Sequence, residues 1–218
     1  MALLMTPTLW DSIDWLNKSP DSWKVRAYNS LLDMLNRVWN PTDAIKRGIA
    51  WEDKICNKKN PIAEISLDLH EKFMTAYDLI HYPGGQFQAK TKKIVDFDGK
   101  EFCLYGKMDV FLPTHVDYLD GLIVDIKTTG NYKGKSSYLS KWQHRLYCWL
   151  KRIHDFKYII YEFDEHGNII DIHIIDYHVD DFGPIGTEIL ENLDKVVKFL
   201  RTDKKLSSAY MKKFNLYN

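Results

Sequence analysis

The sequence predicts an α/β fold: a central mixed β-sheet flanked by helices, with a helical N-terminal portion over residues 1–50. Two periodicities and one alternation of elements predict it. Apolar residues recur at helical spacing within residues 1–50, 62–80, 138–153 and 184–202. Between those helices, period-two patterning runs through residues 86–112, 122–129 and 158–179. Strand and helix thus alternate along one chain of 218 residues, the length of one domain with a substantial core. Residues 1–218 are read as that one domain, with 203–218 a basic tail.

The first 50 residues hold two helices. One covers Thr8 to Leu16 and stops at Ser19-Pro20; the other aligns Trp23, Ala27, Leu31, Leu35 and Val38 and ends near Asn40-Pro41. Tryptophans at these positions are expected in the core. A helix follows from Thr42 or Asp43 to about Cys56, then the polar break Asn57-Lys58-Lys59-Asn60-Pro61. Ile62, Ile65, Leu69, Phe73, Ala76, Tyr77 and Ile80 describe the next amphipathic helix. Asp98-Gly99 is the turn of a β-hairpin over residues 86–112, whose first arm carries Lys90, Lys92 and Lys93. Ile170, Ile172 and Ile174, alternating with Asp171 and His173, predict one buried face on the last strand. The closing helix turns Ile185, Ile189, Leu193, Val196, Val197 and Leu200 inward.

Composition narrows the function. Lys plus Arg and Asp plus Glu both total 30, so attraction to a polyanion needs a local basic patch rather than global charge. One is present. Between Asp125 and Asp155 there is no acidic residue, while Lys127, Lys133, Lys135, Lys141, Arg145, Lys151 and Arg152 alternate with aromatic residues. Lys133, Lys135, Lys141, Arg145 and Lys151 are the candidates for DNA phosphates. Cys56, Cys103 and Cys148 are odd in number and lack C-x-x-C spacing, which suits a reducing cytoplasm and disfavours a disulfide framework or zinc site. No signal peptide or membrane span is evident.

The chemistry concentrates between Tyr105 and Tyr147. On a strand, Leu122, Val124, Ile126 and Thr128 share one face; Ile123, Asp125, Lys127 and Thr129 share the other. A carboxylate and an ammonium on one face of an otherwise apolar strand are costly to desolvate without a partner or a task. The preceding strand carries Asp109 on the face of Cys103, Tyr105 and Lys107, and pairing of the two strands brings Asp109 near Asp125. Two carboxylates beside a lysine make an oxygen-rich site for a hard divalent cation.

Gly106-x-x-Asp109, Asp125-x-Lys127 followed by Thr128-Thr129, and the helical Gln143-x-x-x-Tyr147 together resemble the PD-(D/E)xK nuclease superfamily. The resemblance is to its RecB-like branch, with the Cas4 proteins and the phage exonucleases of the lambda-exonuclease and YqaJ kind. It spans about half the chain and implies a restriction-endonuclease-like core. Arg47-Gly48-Ile49-Ala50-Trp51-Glu52 matches the R-G-x-x-x-E helix that adds an acidic residue to such sites. His70, the alternative as a RecB-type histidine, has no glycine-led motif before it. Where Cas4 proteins carry iron–sulfur cysteines, this chain has Ser19-Pro20 and no cysteine after Cys148, which excludes a four-cysteine cluster.

The resemblance implies a metal-dependent deoxyribonuclease, an exonuclease of phage-type DNA recombination or processing in the host cytoplasm. Its partners would be DNA and a single-strand-binding or recombination protein. Glu52, Asp109, Asp125 and the Ile126 carbonyl would hold Mg²⁺ or Mn²⁺, Lys127 would serve the chemistry, and Gln143 and Tyr147 would position substrate or lysine. Two rival readings are a nucleic-acid-binding module with a degenerate site and a structural or interaction protein. The intact Asp109, Asp125 and Lys127 speak against the first, and the second leaves the charged strand face without a reason.

Overall fold

In the computed structural model, which describes residues 3–57 and 61–214, the elements run as follows. The N-terminal part holds β1 (Leu3–Met5), α1 (Pro7–Lys18), α2 (Asp21–Leu35), α3 (Asp43–Cys56) and α4 (His70–Ile80). Then come β2 (Gln86–Phe97), β3 (Lys100–Leu112), β4 (Leu122–Thr129), α5 (Lys135–Leu139) and α6 (Gln143–Lys151). The chain closes with β5 (Asp155–Phe163), β6 (Ile169–His178), α7 (Phe182–Thr202) and α8 (Lys204–Phe214).

The sheet is mixed and is organised by β3, which has three neighbours. One edge of β3 pairs antiparallel with β2 from Phe97↔Lys100 to Gln86↔Phe111, across a turn in which Asp98 (φ 53°) and Gly99 (φ 67°) are both left-handed, as a tight hairpin requires. The other edge is shared. β1 runs parallel to Phe102–Leu104 at one end, and β4 runs antiparallel to Val110–Leu112 at the other. Between those contacts the sheet forks, and β4 continues through Thr129 paired only with β5, which in turn pairs with β6.

Helices cover both faces. α1, α2, α6, α7 and α8 close over Phe102, Leu104, Met108, Ile123, Phe156, Tyr158 and Ile160. α3 and α4 close over Val110, Leu112, Val124, Ile126, Ile159 and Tyr161. The strict alternation of β4 and β5 residues between these two cores is the fold the period-two pattern predicts.

Several local expectations are corrected. The N-terminal portion is not all helical, because Leu3–Met5 adds a strand to the sheet. Only Trp10 of the first tryptophans is core; Trp15 and Trp23 are 38% and 48% exposed, and Val38 is likewise on the surface. α2 buries only Ala27, Leu31 and Leu35, a stripe too narrow to carry its first turn inward. The helix expected from Ile62 begins at His70, because two 3-10 turns at Ile62–Glu64 and Leu67–Leu69 precede it. The helix expected over 138–153 is split into α5 and α6, since Asp11 Oδ1 accepts the Trp142 N–H (3.1 Å) and starts a new helix there. A register shift after Glu162 leaves Ile170 unpaired and 52% exposed; Ile169, Ile172 and Ile175 are the buried residues. The described part of the basic tail is the helix α8, with Leu206, Ala209 and Tyr210 buried and the Tyr210 hydroxyl donating to Leu4 O (2.8 Å). Lys58 to Asn60 of the polar break and the last four tail residues, 215–218, lie outside the described residues.

Two glycines set how close the layers come. A Cβ on Gly48 would lie 2.4 Å from Thr128 Oγ1, so α3 can rest against β4 only without a side chain there. A Cβ on Gly106 would lie 2.7 Å from the Tyr147 ring, so α6 rests on β3 the same way. Glycine to alanine inside a helix ordinarily gains up to about 1 kcal/mol. Here the clash should reverse that sign: Gly48→Ala is expected to lose roughly 1–3 kcal/mol in urea unfolding. Adding Thr128→Ala should recover most of the loss, and an additive double mutant would show that the two residues do not touch.

Candidate active site

Strand alternation delivers Asp125 and Lys127 to the α6 side of β4, opposite Val124 and Ile126. Asp125 is fully buried; the Lys127 side chain is 34% exposed. Lys127 Nζ forms an ion pair with Asp125 Oδ2, an oxygen with no hydrogen-bonded partner besides among the described residues, and Gln143 Nε2 donates to Asp125 Oδ1. Gln143 Nε2 also reaches the Tyr147 hydroxyl (3.4 Å), which donates to Lys107 O on β3 (2.8 Å). The four-residue spacing puts both side chains on one flank of α6, and the bare Gly106 lets that flank down onto β3.

Asp109 comes from a local inversion of the hairpin. Met108 faces the first core and Val110 the second, while on β2 Ala89 packs with the first core and Phe87 with the second. Both strands therefore roll over at one position, and Gln88 and Asp109 are the pair missing between Phe87↔Val110 and Ala89↔Met108. Gln88 takes φ +54° to make the turn-over. The rolled Asp109 carboxylate points across the fork, where its Oδ2 accepts the backbone N–H of Ile126 (2.8 Å) in place of a ladder bond. The strand pairing expected to bring Asp109 to Asp125 thus stops one residue short at Val110↔Val124, and a side chain bridges the gap instead.

Glu52 reaches the same fork from α3. Trp51 anchors that helix, edge-on to Tyr161 and Phe163 with ring centroids 5.2 and 5.8 Å away, and the next residue turns toward β2. Glu52 Oε1 accepts from Gln88 Nε2 (3.0 Å), which also donates to Asp109 Oδ1 (3.4 Å). Burial, and then the Asp109 charge, hold the Glu52 carboxyl above its ordinary range. His70 is elsewhere: it starts α4 with a ring nitrogen on Ile65 O (3.0 Å), a packing role.

Gln88 is a functional candidate that strand alternation and motif spacing both pass over. The signal for it was arithmetic: counting back from the Asp98-Gly99 turn pairs residue 88 with residue 109. The phosphate candidates divide. Lys133, Lys135 and Lys141 are exposed. Arg145 lies over Trp142 and pairs with Glu188 (3.0 Å) of α7, and Lys151 sits over the Phe111 ring (4.2 Å). The acid-free stretch is thus partly neutralised from a distant helix.

Glu52, Asp109, Asp125 and the Ile126 carbonyl make an all-oxygen donor set, the kind a hard divalent cation takes. As they stand, no three acidic, histidine or cysteine side chains among the described residues gather closely enough to hold an ion. The Gln88 amide lies between Glu52 and Asp109, and the Lys127 ammonium sits on Asp125. A fully buried carboxylate with only an ammonium on one oxygen fits a site that takes a cation.

Burial raises the Asp125 carboxyl from its ordinary 3.8 to about 8, with Lys127 opposing and Asp109 adding. Lys127, despite its partial burial, is held above its ordinary value by Asp125 and Asp109. In the metal-free protein the folded state therefore binds more protons than the unfolded state between those two pH values, and stability falls as pH rises through that window. Asp125→Asn removes this slope. In EDTA its melting temperature should exceed the parental value at pH 8 by at least about 3 °C and converge with it near pH 4. A variant that melts lower at pH 8 would contradict the assignment.

No protein-family model matches this chain, and no curated protein does. Among solved structures it is similar to SSO0001 at 11% identity, covering 91% of this chain and 77% of that one, with a TM-score of 0.48. A phage-related exonuclease from Haemophilus somnus 129PT is 12% identical over 96% of this chain and 93% of its own, with a TM-score of 0.42. LHK-Exo, solved in complex with dAMP, is 12% identical over 97% and 94%, with a TM-score of 0.43. Likenesses at this level assign no activity to the chain.

Proposed function

We propose that the protein is a divalent-metal-dependent deoxyribonuclease that hydrolyses DNA phosphodiester bonds, acting as an exonuclease in phage-type recombination or processing. The observation that carries this reading is the convergence of Asp109, Asp125, Lys127 and Glu52 on the fork between β3 and β4. An interaction protein has no need of a fully buried carboxylate held by a lysine and a glutamine beside a second carboxylate.

Asp109, Asp125, Glu52 and the Ile126 carbonyl would hold Mg²⁺ or Mn²⁺, which when bound would supply Lewis-acid polarisation of the phosphodiester. The chain's own side chains do the rest. Lys127, with its side chain about one-third exposed and its Nζ tied to Asp125, can turn from that carboxylate to a phosphate oxygen or the attacking water as charge builds. Gln143 fixes Asp125 from behind, and Tyr147, tied to Lys107 O, keeps α6 from shifting. Lys133, Lys135 and Lys141, on the exposed loop and helix start, hold backbone phosphates.

The experiment is incubation of the purified protein with linear and circular DNA in Mg²⁺, Mn²⁺ or EDTA. Cleavage of linear DNA alone, abolished by EDTA, is the expected result; binding without cleavage would leave a nucleic-acid-binding module instead. Asp109→Ala and Asp125→Ala should each lower turnover by more than about a thousandfold with the fold intact, and Glu52→Gln should weaken it strongly. Lys127→Ala should depress turnover steeply while leaving DNA affinity in Ca²⁺ nearly unchanged, because its charge acts mainly in the transition state. Lost binding with normal cutting once bound would make Lys127 a phosphate clamp.

The exposed cations should show the opposite split. Lys133→Ala combined with Lys135→Ala should weaken DNA binding and flatten its log–log salt dependence by about one unit for each phosphate no longer neutralised. Turnover at saturating DNA should stay close to parental. An unchanged salt slope would remove both lysines from the DNA path.

A further inference from the structure

We infer that Gln88 is a positioning residue that aims Glu52 at Asp109 so that the two carboxylates are arranged before a cation arrives. This inference rests on the metal-dependent reading of the same fork.

The observation is the join between an unusual backbone and a specific pair of hydrogen bonds. Gln88 lies inside a 12-residue strand, yet takes a left-handed φ of +54°. A residue with a Cβ is strained there, and glycine or asparagine would make the roll-over more easily. Neither occupies the position. What glutamine adds is length, and its Nε2 uses that length to donate to Glu52 Oε1 (3.0 Å) and Asp109 Oδ1 (3.4 Å) at once. The amide nitrogen must face this way, because carboxylate oxygens accept and its own carbonyl oxygen would repel them.

The two carboxylates need this help unequally. Asp109 is already fixed through Oδ2 to the Ile126 N–H (2.8 Å). Glu52 has three side-chain torsions, sits half-buried on a helix, and takes its hydrogen bond from Gln88. Without that bond, repulsion from Asp109 favours rotamers that carry Glu52 away from the fork. Strain at a functional position that a smaller residue would relieve signals a side chain kept for the bonds it makes. The Gln88 amide, bonded to both carboxylates, keeps Glu52 turned toward Asp109.

The test separates turn from clamp. Gln88→Asn and Gln88→Gly both relieve the left-handed strain, and both are too short to reach Glu52. Mn²⁺ binding to each full-length variant, without DNA, is measured by titration calorimetry beside melting temperature in EDTA. The expected result is a melting temperature equal to or above the parental one, with Mn²⁺ bound about tenfold more weakly, the low end for loss of a partner that orients a ligand. In nuclease assays the Mn²⁺ concentration for half-maximal rate should rise by a similar factor, while the rate at saturating Mn²⁺ changes little. Variants that bind Mn²⁺ as tightly as the parental protein would overturn the inference and make Gln88 a turn residue only. Variants that lose Mn²⁺ affinity only in proportion to a fallen melting temperature would overturn it too. A parental protein that binds no Mn²⁺ would instead remove the metal reading itself.

Discussion

Where β3 leaves β4, the sheet loses its ladder, and a single hydrogen bond from the Ile126 N–H to Asp109 Oδ2 takes over. The rest of the site depends on that substitution. An ordinary antiparallel pair would run on past Val110↔Val124, set Asp109 directly beside Asp125 and leave no space between the strands for anything else. By rolling over at Gln88 and Asp109, the hairpin ends the pairing and turns a side-chain oxygen into the missing backbone acceptor. The donor of Ile126 stays satisfied, as a buried amide must, and β4 continues as the free wall of an opening.

That opening would be too costly in an unassisted core. Asp125 has no solvent exposure, and an isolated buried carboxylate is destabilising by several kcal/mol. Three supports offset this, one from β4 and two from α6. Lys127 supplies charge from two residues along the strand, Gln143 supplies a donor from α6, and Tyr147 ties that helix to Lys107 O. Trp142 locks the start of α6 to α1 through Asp11 and Asp14, its indole donating to Asp14 Oδ2 (3.3 Å). The first helix of the chain thus acts on the site at second hand, by fixing where Gln143 begins.

What could be read from the sequence was whatever neighbouring residues decide together. The Asp98-Gly99 turn, the alternation of β4 and the apolar stripe of α7 are local patterns, and each stands where periodicity put it. Asp125 and Lys127 share a face because they ride on the alternation of β4, and Gln143 and Tyr147 share a flank because they are four apart on a helix. What was illegible is decided by distant partners. Leu3–Met5 is a strand only because Phe102–Leu104 offers an edge. Trp23 looks like core at helical spacing, but α2 presents that turn to solvent. The break before Gln143 depends on an aspartate 131 residues earlier. The roll-over at Gln88 breaks the alternation itself, so a reading built on alternation could not contain it.

The two cores share no side chain, one lying under α3 and α4 and the other under α1, α2, α6, α7 and α8. The fork draws on both, with Glu52 from the first layer and Asp125, backed by α6, from the second. Anything that binds all of these oxygens binds only when both layers are closed, and adds its binding free energy to each. A ligand there would couple two otherwise separate opening equilibria, so that fluctuations which peel α3 from the sheet and those which lift α6 become one event.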